Sequence, residues 1–267
     1  MKTPLYPFHL WLFRAHVVSP IAGSVLLAGI VLKLASYGIV VVLLRKFLDA
    51  TVSGQGFVIA LAVLSLVASS LSVLRQADIK AVIALSSVGH MAVVTLGLVS
   101  LSPVAFEGAF LLSLAHGFVS PILFVIVRGV LYDRLHTRTL RYMRGLSLLI
   151  PVMGVAFFLA SLANMATPPS MNWAGEFLVV AGLFDGSAIA GFLASTSVVL
   201  GASYSIWLFS RVAYGRYSPY LGAVVDLSRL EATVLYGLGA MAAVGRICLV
   251  TTMSWALYWA VDVAVGV

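Results

Sequence analysis

The stretch that most constrains this chain is Ile21 to Leu44, IAGSVLLAGIVLKLASYGIVVVLL, whose single charge, Lys33, stands near its middle. A helix rises about 1.5 Å per residue, so the run is about 36 Å long, enough to cross a hydrocarbon core of about 30 Å. Lys33 then sits near the membrane midplane, too deep to reach either surface easily. A lysine there costs about 2.5–3.5 kcal/mol on insertion scales. Such a charge faces a polar interior and has a partner or a task.

Comparable apolar runs recur at 57–74, 79–101, 106–131, 191–209 and 235–260. Another, 146–184, is interrupted in its middle by Thr167-Pro168-Pro169-Ser170. These runs are too long and too uniformly apolar for barrel strands, so the chain is expected to be all-α, a polytopic bundle of transmembrane helices. Only 9% of residues are charged, against about 25% in soluble domains. The net charge of +7 carries no basic, aromatic-interleaved segment, which argues against nucleic acid as a partner. Instead the arginines and lysines crowd into the connections near 14–20, 75–80, 128–144 and 211–229, while the opposite connections hold only Arg45 and Lys46. Alternating spans put all the crowded connections on one face, the cytoplasmic or matrix face under the positive-inside rule. The lone cysteine, Cys248, excludes an intrachain disulfide and a Cys-based metal cluster. The opening, MKTPLYPFHLWLFRAH, reads as the tail of an apolar helix, with Pro4 and Pro7 marking a second, partial break.

Five ionisable groups lie well inside the spans, away from their ends: Lys33, His90, His116, Glu176 and Arg246. Lys2 joins them if residues 1–16 belong to a membrane helix. Burial favours the neutral forms of amines and carboxyls alike, so such groups can exchange protons near neutral pH, where histidine already titrates. Arginine holds its proton too tightly to relay it, so Arg246 reads as an electrostatic partner. Ser86 is four residues from His90, and Ser113 and Ser120 are three and four from His116, each sharing a helical face with its histidine. Titrating side chains with hydroxyls between them are what proton movement through a bilayer needs. The Pro168-Pro169 interruption adds a broken helix, a recurrent transporter device, with Glu176 seven residues beyond Pro169. Blander readings stand beside these: a histidine bonding a neighbouring helix, a static Lys33–Glu176 pair, or a packing kink at the prolines.

The ordered segments HLWLFRAHVVSPIAGSVLLAGIVLKLASYG, RQADIKAVIALSSVGHM, LAHGFVSPILF and LASLANMATPPSMNWAGEF resemble the antiporter-like membrane subunits of respiratory complex I, specifically the chain 4 family of NADH–ubiquinone oxidoreductase. The motifs cover most of residues 1–185; the remainder is similar in hydropathy alone. The resemblance implies two inverted repeats, each with a broken helix, and proton movement coupled to electron transfer from NADH to ubiquinone in other subunits. It implies residues 1–16 as the remnant of a broken transmembrane helix, 17–185 as core helices with the second half-channel, and 186–267 as C-terminal transmembrane helices. By motif, Lys2 resembles the lysine of the first broken helix and Lys33 the central lysine between half-channels. His90 and His116 resemble polar-axis residues, and Glu176 the terminal proton-exchange group. His9 in FHLW matches the pattern with a supporting role. Family members are much longer at the amino-terminal end, so a separate polypeptide supplying the missing helices is an expected partner, alongside other complex I membrane subunits and membrane lipids. The alternative is a subunit that lost its first half-channel.

No cofactor-binding or metal site is expected in the chain: it has no glycine-rich nucleotide fingerprint and no cysteine cluster. NAD, FMN, iron–sulfur clusters and ubiquinone are expected in partner subunits. The family analogy points to the mitochondrial inner membrane, with a bacterial plasma membrane as the alternative. Two other functions remain open from sequence: a subunit of a stand-alone cation/proton antiporter, and a non-conducting brace of the membrane arm.

Overall fold

The computed structural model describes residues 2–216 and 225–243; Arg246 and most of the run 235–260 lie outside the described residues. The described chain is built from helices, labelled here in chain order. A short helix α1 (Leu10–Val18) is followed by α2 (Ile21–Leu44), α3 (Leu48–Val73), α4 (Ile79–Val99) and α5 (Pro103–Leu135). Then come α6 (Leu146–Leu149), α7 (Pro151–Asn164), α8 (Met171–Gly186), α9 (Ala188–Ala213) and a final helix α10 over 229–243. Five of them, α2, α3, α4, α5 and α9, are long and apolar enough to cross a bilayer.

Two elements depart from the sequence reading. Helix α3 begins at Leu48 rather than 57, because LDATVSGQG extends it toward the face opposite the basic one. There Asp49 lies in the first turn, where a carboxylate complements the helix dipole, and Gln55 Nε2 donates to Val99 O at 3.0 Å. The run expected from 146 to 166 is divided at Ile150, held at φ −129° and ψ 71° before Pro151, which starts α7. The opening segment forms turns before α1 and is helical over Leu10–Val18, in keeping with the partial break expected there. The interruption at Pro168-Pro169 is present as read. Helix α7 ends at Asn164, and Ser170 restarts the chain as N-cap of α8 by accepting from Trp173 N at 3.2 Å. Thr167 closes the break, its N–H and Oγ1 both donating to Leu162 O.

The crowded connections meet on one face. Arg138 Nη1 donates to Val17 O, Ile79 N to Arg138 O, and Leu140 N to Ala77 O. Gly145 N donates to Tyr214 O and Ser147 Oγ to Ala213 O. Arg134 grips Glu231 through two N–H···O bonds of 2.9 and 2.7 Å. This hydrogen-bonded layer is the alternation expected from the charge bias. At its centre stands α4, buried on all sides, with α5 and α8 packed against it. Helices α5 and α8 come almost backbone to backbone: a Cβ on Gly175 would lie 2.7 Å from Leu112 N. Close approach through small residues is the usual way membrane helices associate. Here it carries Glu176 into the centre of the bundle.

Candidate functional site

Helix α2 is distorted where it carries Lys33. A π segment, Leu27–Val31, precedes the lysine and another, Ile39–Leu44, follows it; Leu32 N donates five residues back to Leu27 O. Such wide turns occur often at functional sites, because they offset the carbonyl ladder and re-aim side chains. Lys33 Nζ turns back along its own helix to donate to Ala28 O at 2.7 Å, and it meets His116 Nδ1 of α5 at 2.7 Å.

The facing stretch of α5 is also interrupted. Pro121 lies inside the helix and has no N–H to return to the carbonyl of Gly117, one turn back. Gly117 makes room for the lysine: a Cβ there would press on Lys33 Cε at 3.3 Å and Gly29 O at 3.4 Å. A π turn and a proline thus face each other across the point where Lys33 reaches His116.

From His116 the polar groups continue inward. The His116 and His90 rings are 5.5 Å apart between centroids, tilted by 50°. His90 Nδ1 lies 2.9 Å from Glu176 Oε1, and its Nε2 lies 3.2 Å from Asn164 Oδ1, at the end of α7 beside the break. An amide can present its oxygen or its nitrogen, so Asn164 partners His90 in either protonation state. Asn164 Nδ2 in turn donates to Ser205 Oγ of α9 at 3.4 Å. His116 is 1% exposed, Glu176 4% and His90 5%. The order Lys33, His116, His90, Glu176 is therefore a buried line drawn from α2, α5, α4 and α8, hydrogen-bonded at both ends and joined in the middle by the His116–His90 ring contact. Each member can gain or lose a proton, and neighbours are joined by hydrogen bonds or by ring contact.

The structure brings four of the proposed residues together and treats the rest differently. Lys33 and Glu176 do not pair; two histidines stand between them, so the static-bridge reading fails on geometry. Ser113 Oγ meets Ser36 Oγ of α2 at 3.2 Å, and Ser120 Oγ meets Ser87 Oγ of α4 at 3.2 Å. Ser86 donates back to Ile83 O of its own helix and lines a cavity of about 10 Å³ shared with Asn164, Tyr204 and Ser205. That volume is close to the smallest that holds one water. His9 stacks on Tyr6 at 5.4 Å, away from this line, and Lys2 lies exposed before α1. Sequence reasoning missed Asn164, Asn172 and Ser36; Ser87, like Ser86, is one of the hydroxyls that the sequence places near His90 on the same helix. Asn172, fully buried, lies one helical turn before Glu176, and neither of its amide atoms has a protein partner. The available signal was an amide inside an apolar run, at LAN and at MNW.

Comparison with known proteins agrees with this architecture. Residues 1–201 match the family described as NADH:quinone oxidoreductase/Mrp antiporter, TM. The chain belongs to that family of antiporter-like membrane subunits. Within it, the chain is 52% identical over 235 residues to NADH-ubiquinone oxidoreductase chain 4 of Mycosarcoma maydis, covering 88% of this chain and 49% of that protein. It is 42% identical to the Marchantia polymorpha chain 4 over 88% of this chain and 47% of that one. The chain thus spans about half the length of the curated relatives it matches. Among solved structures, a subunit of respiratory complex I from Thermus thermophilus superposes with a TM-score of 0.84 at 26% identity, over 98% of this chain and 55% of that one. A chain of the Mrp complex from a Dietzia species shares the fold, with a TM-score of 0.81 at 17% identity, over 98% and 56% of the two chains.

Proposed function

We propose that this chain is a proton-translocating membrane-arm subunit of respiratory complex I. In this reading NADH:ubiquinone electron transfer takes place in partner subunits that hold NAD, FMN, iron–sulfur clusters and ubiquinone. The assembly sits in the mitochondrial inner membrane among other complex I membrane subunits and lipids. The observation that carries the reading is the buried Lys33–His116–His90–Glu176 line. A proton on Lys33 Nζ passes to His116 Nδ1; His116 releases the proton on its Nε2 to His90 once a ring rotation closes the 5.5 Å ring contact; and His90 hands the proton on its Nδ1 to the Glu176 carboxylate. Each step breaks one N–H bond and forms one N–H or O–H bond. Movement of charge at either end changes the electrostatic field felt by the other, which lets proton transfer respond to events outside the chain.

The test is proton pumping by the assembled complex carrying Lys33→Ala or Glu176→Gln, with assembly followed by native electrophoresis and co-migrating chains identified by mass spectrometry. Pumping is expected to fall about 10²-fold, the lower end of what a positioned proton carrier contributes. Lys33→Arg is expected not to restore it, since arginine does not release its proton. Normal pumping in both variants would leave the chain as a brace of the membrane arm. Co-migration with cation-transport subunits and no redox subunits, with sodium-dependent transport in isolated membranes, would favour the antiporter reading that the family description also covers.

A further inference from the structure

Helices α3 and α9 leave an open-sided groove of about 590 Å³ between them, lined by apolar side chains apart from Ser187 at its mouth. On α3 the lining runs through Gly56, Ile59, Ala60, Val63, Leu64 and Val67, the three- and four-residue steps of a single helical face. On α9 it is the opening turns, as far as Leu193. On the inner side of the same helices, Ala62, Leu66 and Ala194 belong to one buried apolar cluster. A Cβ on Gly56 would meet nothing within 4 Å, and Phe57 and Ile189 beside the groove are 72% and 75% exposed.

Length and depth decide what such a groove suits. At about 1.5 Å of rise per residue, Gly56 to Val67 spans about 17 Å, close to one leaflet's half of a hydrocarbon core of about 30 Å. Both α3 and α9 start at the face opposite the basic one, so the groove opens there and ends near the midplane. A transmembrane helix needs a seat running the full core, whereas an acyl chain of one leaflet needs half of it. The mouth is charged. Arg45 and Lys46, which the positive-inside pattern does not call for on this face, stand just before α3, exposed and in no ion pair among the described residues. Asp49, in the first turn of α3, lies about 10 Å along the helix from Gly56, at headgroup depth. Asp185 is exposed two residues before Ser187. Two positive and two negative charges thus stand above an apolar groove one leaflet deep.

We propose that the groove between α3 and α9 holds one acyl chain of a phosphatidylethanolamine, with its phosphate at Arg45 and Lys46 and its ammonium at Asp49 and Asp185. Arginine and lysine N–H groups make charge-assisted hydrogen bonds to phosphate oxygens. A primary ammonium donates hydrogen bonds to carboxylates, which a choline headgroup cannot do. An anionic lipid would satisfy the two cations and set its remaining charge against the two carboxylates. The proposal needs only that the chain spans a bilayer, so it stands apart from the proton-translocating reading.

The test uses the chain in its purified membrane assembly, reconstituted in phosphatidylcholine vesicles with a trace of phosphatidylethanolamine bearing a diazirine in one acyl chain. After illumination, labelled residues are mapped by mass spectrometry, with diazirine-bearing phosphatidylcholine and cardiolipin run in parallel. Gly56→Trp places a ring in the open space of the groove, and Arg45→Gln with Lys46→Gln removes the phosphate contacts at exposed positions while leaving the groove as it is. Labelling is expected around Val63 and Leu193, strongest with the phosphatidylethanolamine probe. It should fall about tenfold in Gly56→Trp and about tenfold in the Arg45→Gln, Lys46→Gln variant, the latter from the loss of two basic contacts near the membrane surface. The double variant carries the test by itself if Gly56→Trp does not assemble. Labelling unchanged in these variants, or absent from α3 and α9 in the unaltered chain, would overturn the site. Stronger labelling by cardiolipin or phosphatidylcholine would overturn the headgroup assignment, and a crosslink from these positions to a neighbouring polypeptide would put a protein there instead.

Discussion

Helices α2 and α4 have nearly the same mean hydropathy, 2.3 and 2.0, yet in an 18-residue apolar window of each, 22% of one and 94% of the other is buried within the protein. Helix α4 is a central post: every residue from Ile79 to Val99 except Gly89 is buried, and it delivers His90 to Glu176 and Asn164. Helix α2 is peripheral, with Leu26, Ile30, Leu34 and Tyr37 exposed along one side. It still delivers the lysine, through a backbone bent into two π segments. The contrast separates two ways of placing a charge in a membrane. The central post enwraps its titrating group in fixed partners, whereas the outer helix turns one side chain inward and leaves its other side exposed within this chain.

The largest effect that would break this comparison comes from removing the enclosed group. His90→Ala leaves the Glu176 carboxylate buried without its partner, a change that costs about 3–5 kcal/mol when a buried pair is broken. Both the yield of assembled complex and its melting temperature should drop. Lys33→Ala on the peripheral helix should spare both and lose pumping alone. Equal destabilisation by the two would mean that α2 is as structurally committed as α4.

Backbone crowding sharpens the same contrast. A Cβ at Gly97 of α4 would lie 2.7 Å from Ala105 O and 2.8 Å from Ala109 Cβ, while one at Gly38 of α2 meets nothing within 4 Å. Gly97→Val should cost about 1–3 kcal/mol by overpacking, and Gly38→Val should stay within about 0.5 kcal/mol, as read by thermal unfolding in detergent. A smaller difference is expected between the two serine contacts. Ser87→Ala, in the Ser87–Ser120 pair within the core, and Ser36→Ala, in the pair joining α2 to α5, should each cost about 0.5–1.5 kcal/mol. If Ser36→Ala alone shifts pumping, the α2–α5 seam is tuned for position rather than for stability.

The smallest effect lies outside both helices. The Arg134 guanidinium beside Glu231 holds its carboxyl down to about 2 from an ordinary 4.5. The depressed value makes the sign clear: the contact contributes fully above about 4.5 and is lost as pH falls through about 2. Because the Glu231 side chain is 28% exposed, its worth is about 0–1 kcal/mol. Thermal midpoints of the unaltered chain and Glu231→Gln, scanned from neutral to acid pH, should converge across that window.

Much of the candidate site was legible because a charge or imidazole in an apolar run is expensive and therefore conspicuous. Lys33, His90, His116 and Glu176 stood out on that ground alone, and Pro168-Pro169 marked the break before Glu176. Their partners were not legible. Nothing in the local pattern says that Lys33 meets His116 rather than Glu176, since that depends on how α2 lies against α5. The serines show the same limit: all three share a helical face with a histidine, yet Ser86 bonds its own backbone and the other two bond serines of neighbouring helices. His16 and Lys80, both fully buried, escaped notice because each lies near the end of a helix, where the positive-inside pattern already accounts for a basic residue. Burial is what distinguishes them from Arg14 and Arg75, which lie exposed on the same face.

By itself the sequence determined the class and most of the long helices, because hydrocarbon admits only long apolar helices, and it placed the basic connections on one face. It also determined which side chains bear an electrostatic cost in the bilayer. Tertiary structure decided which helix became the post and which lay outside it, and so which costly groups meet. Helix pairing in a membrane turns on close backbone approach, at Gly117 against α2 and Gly175 against α5, and such contacts join residues far apart in the chain. Hydropathy, a local average, carries no information about them.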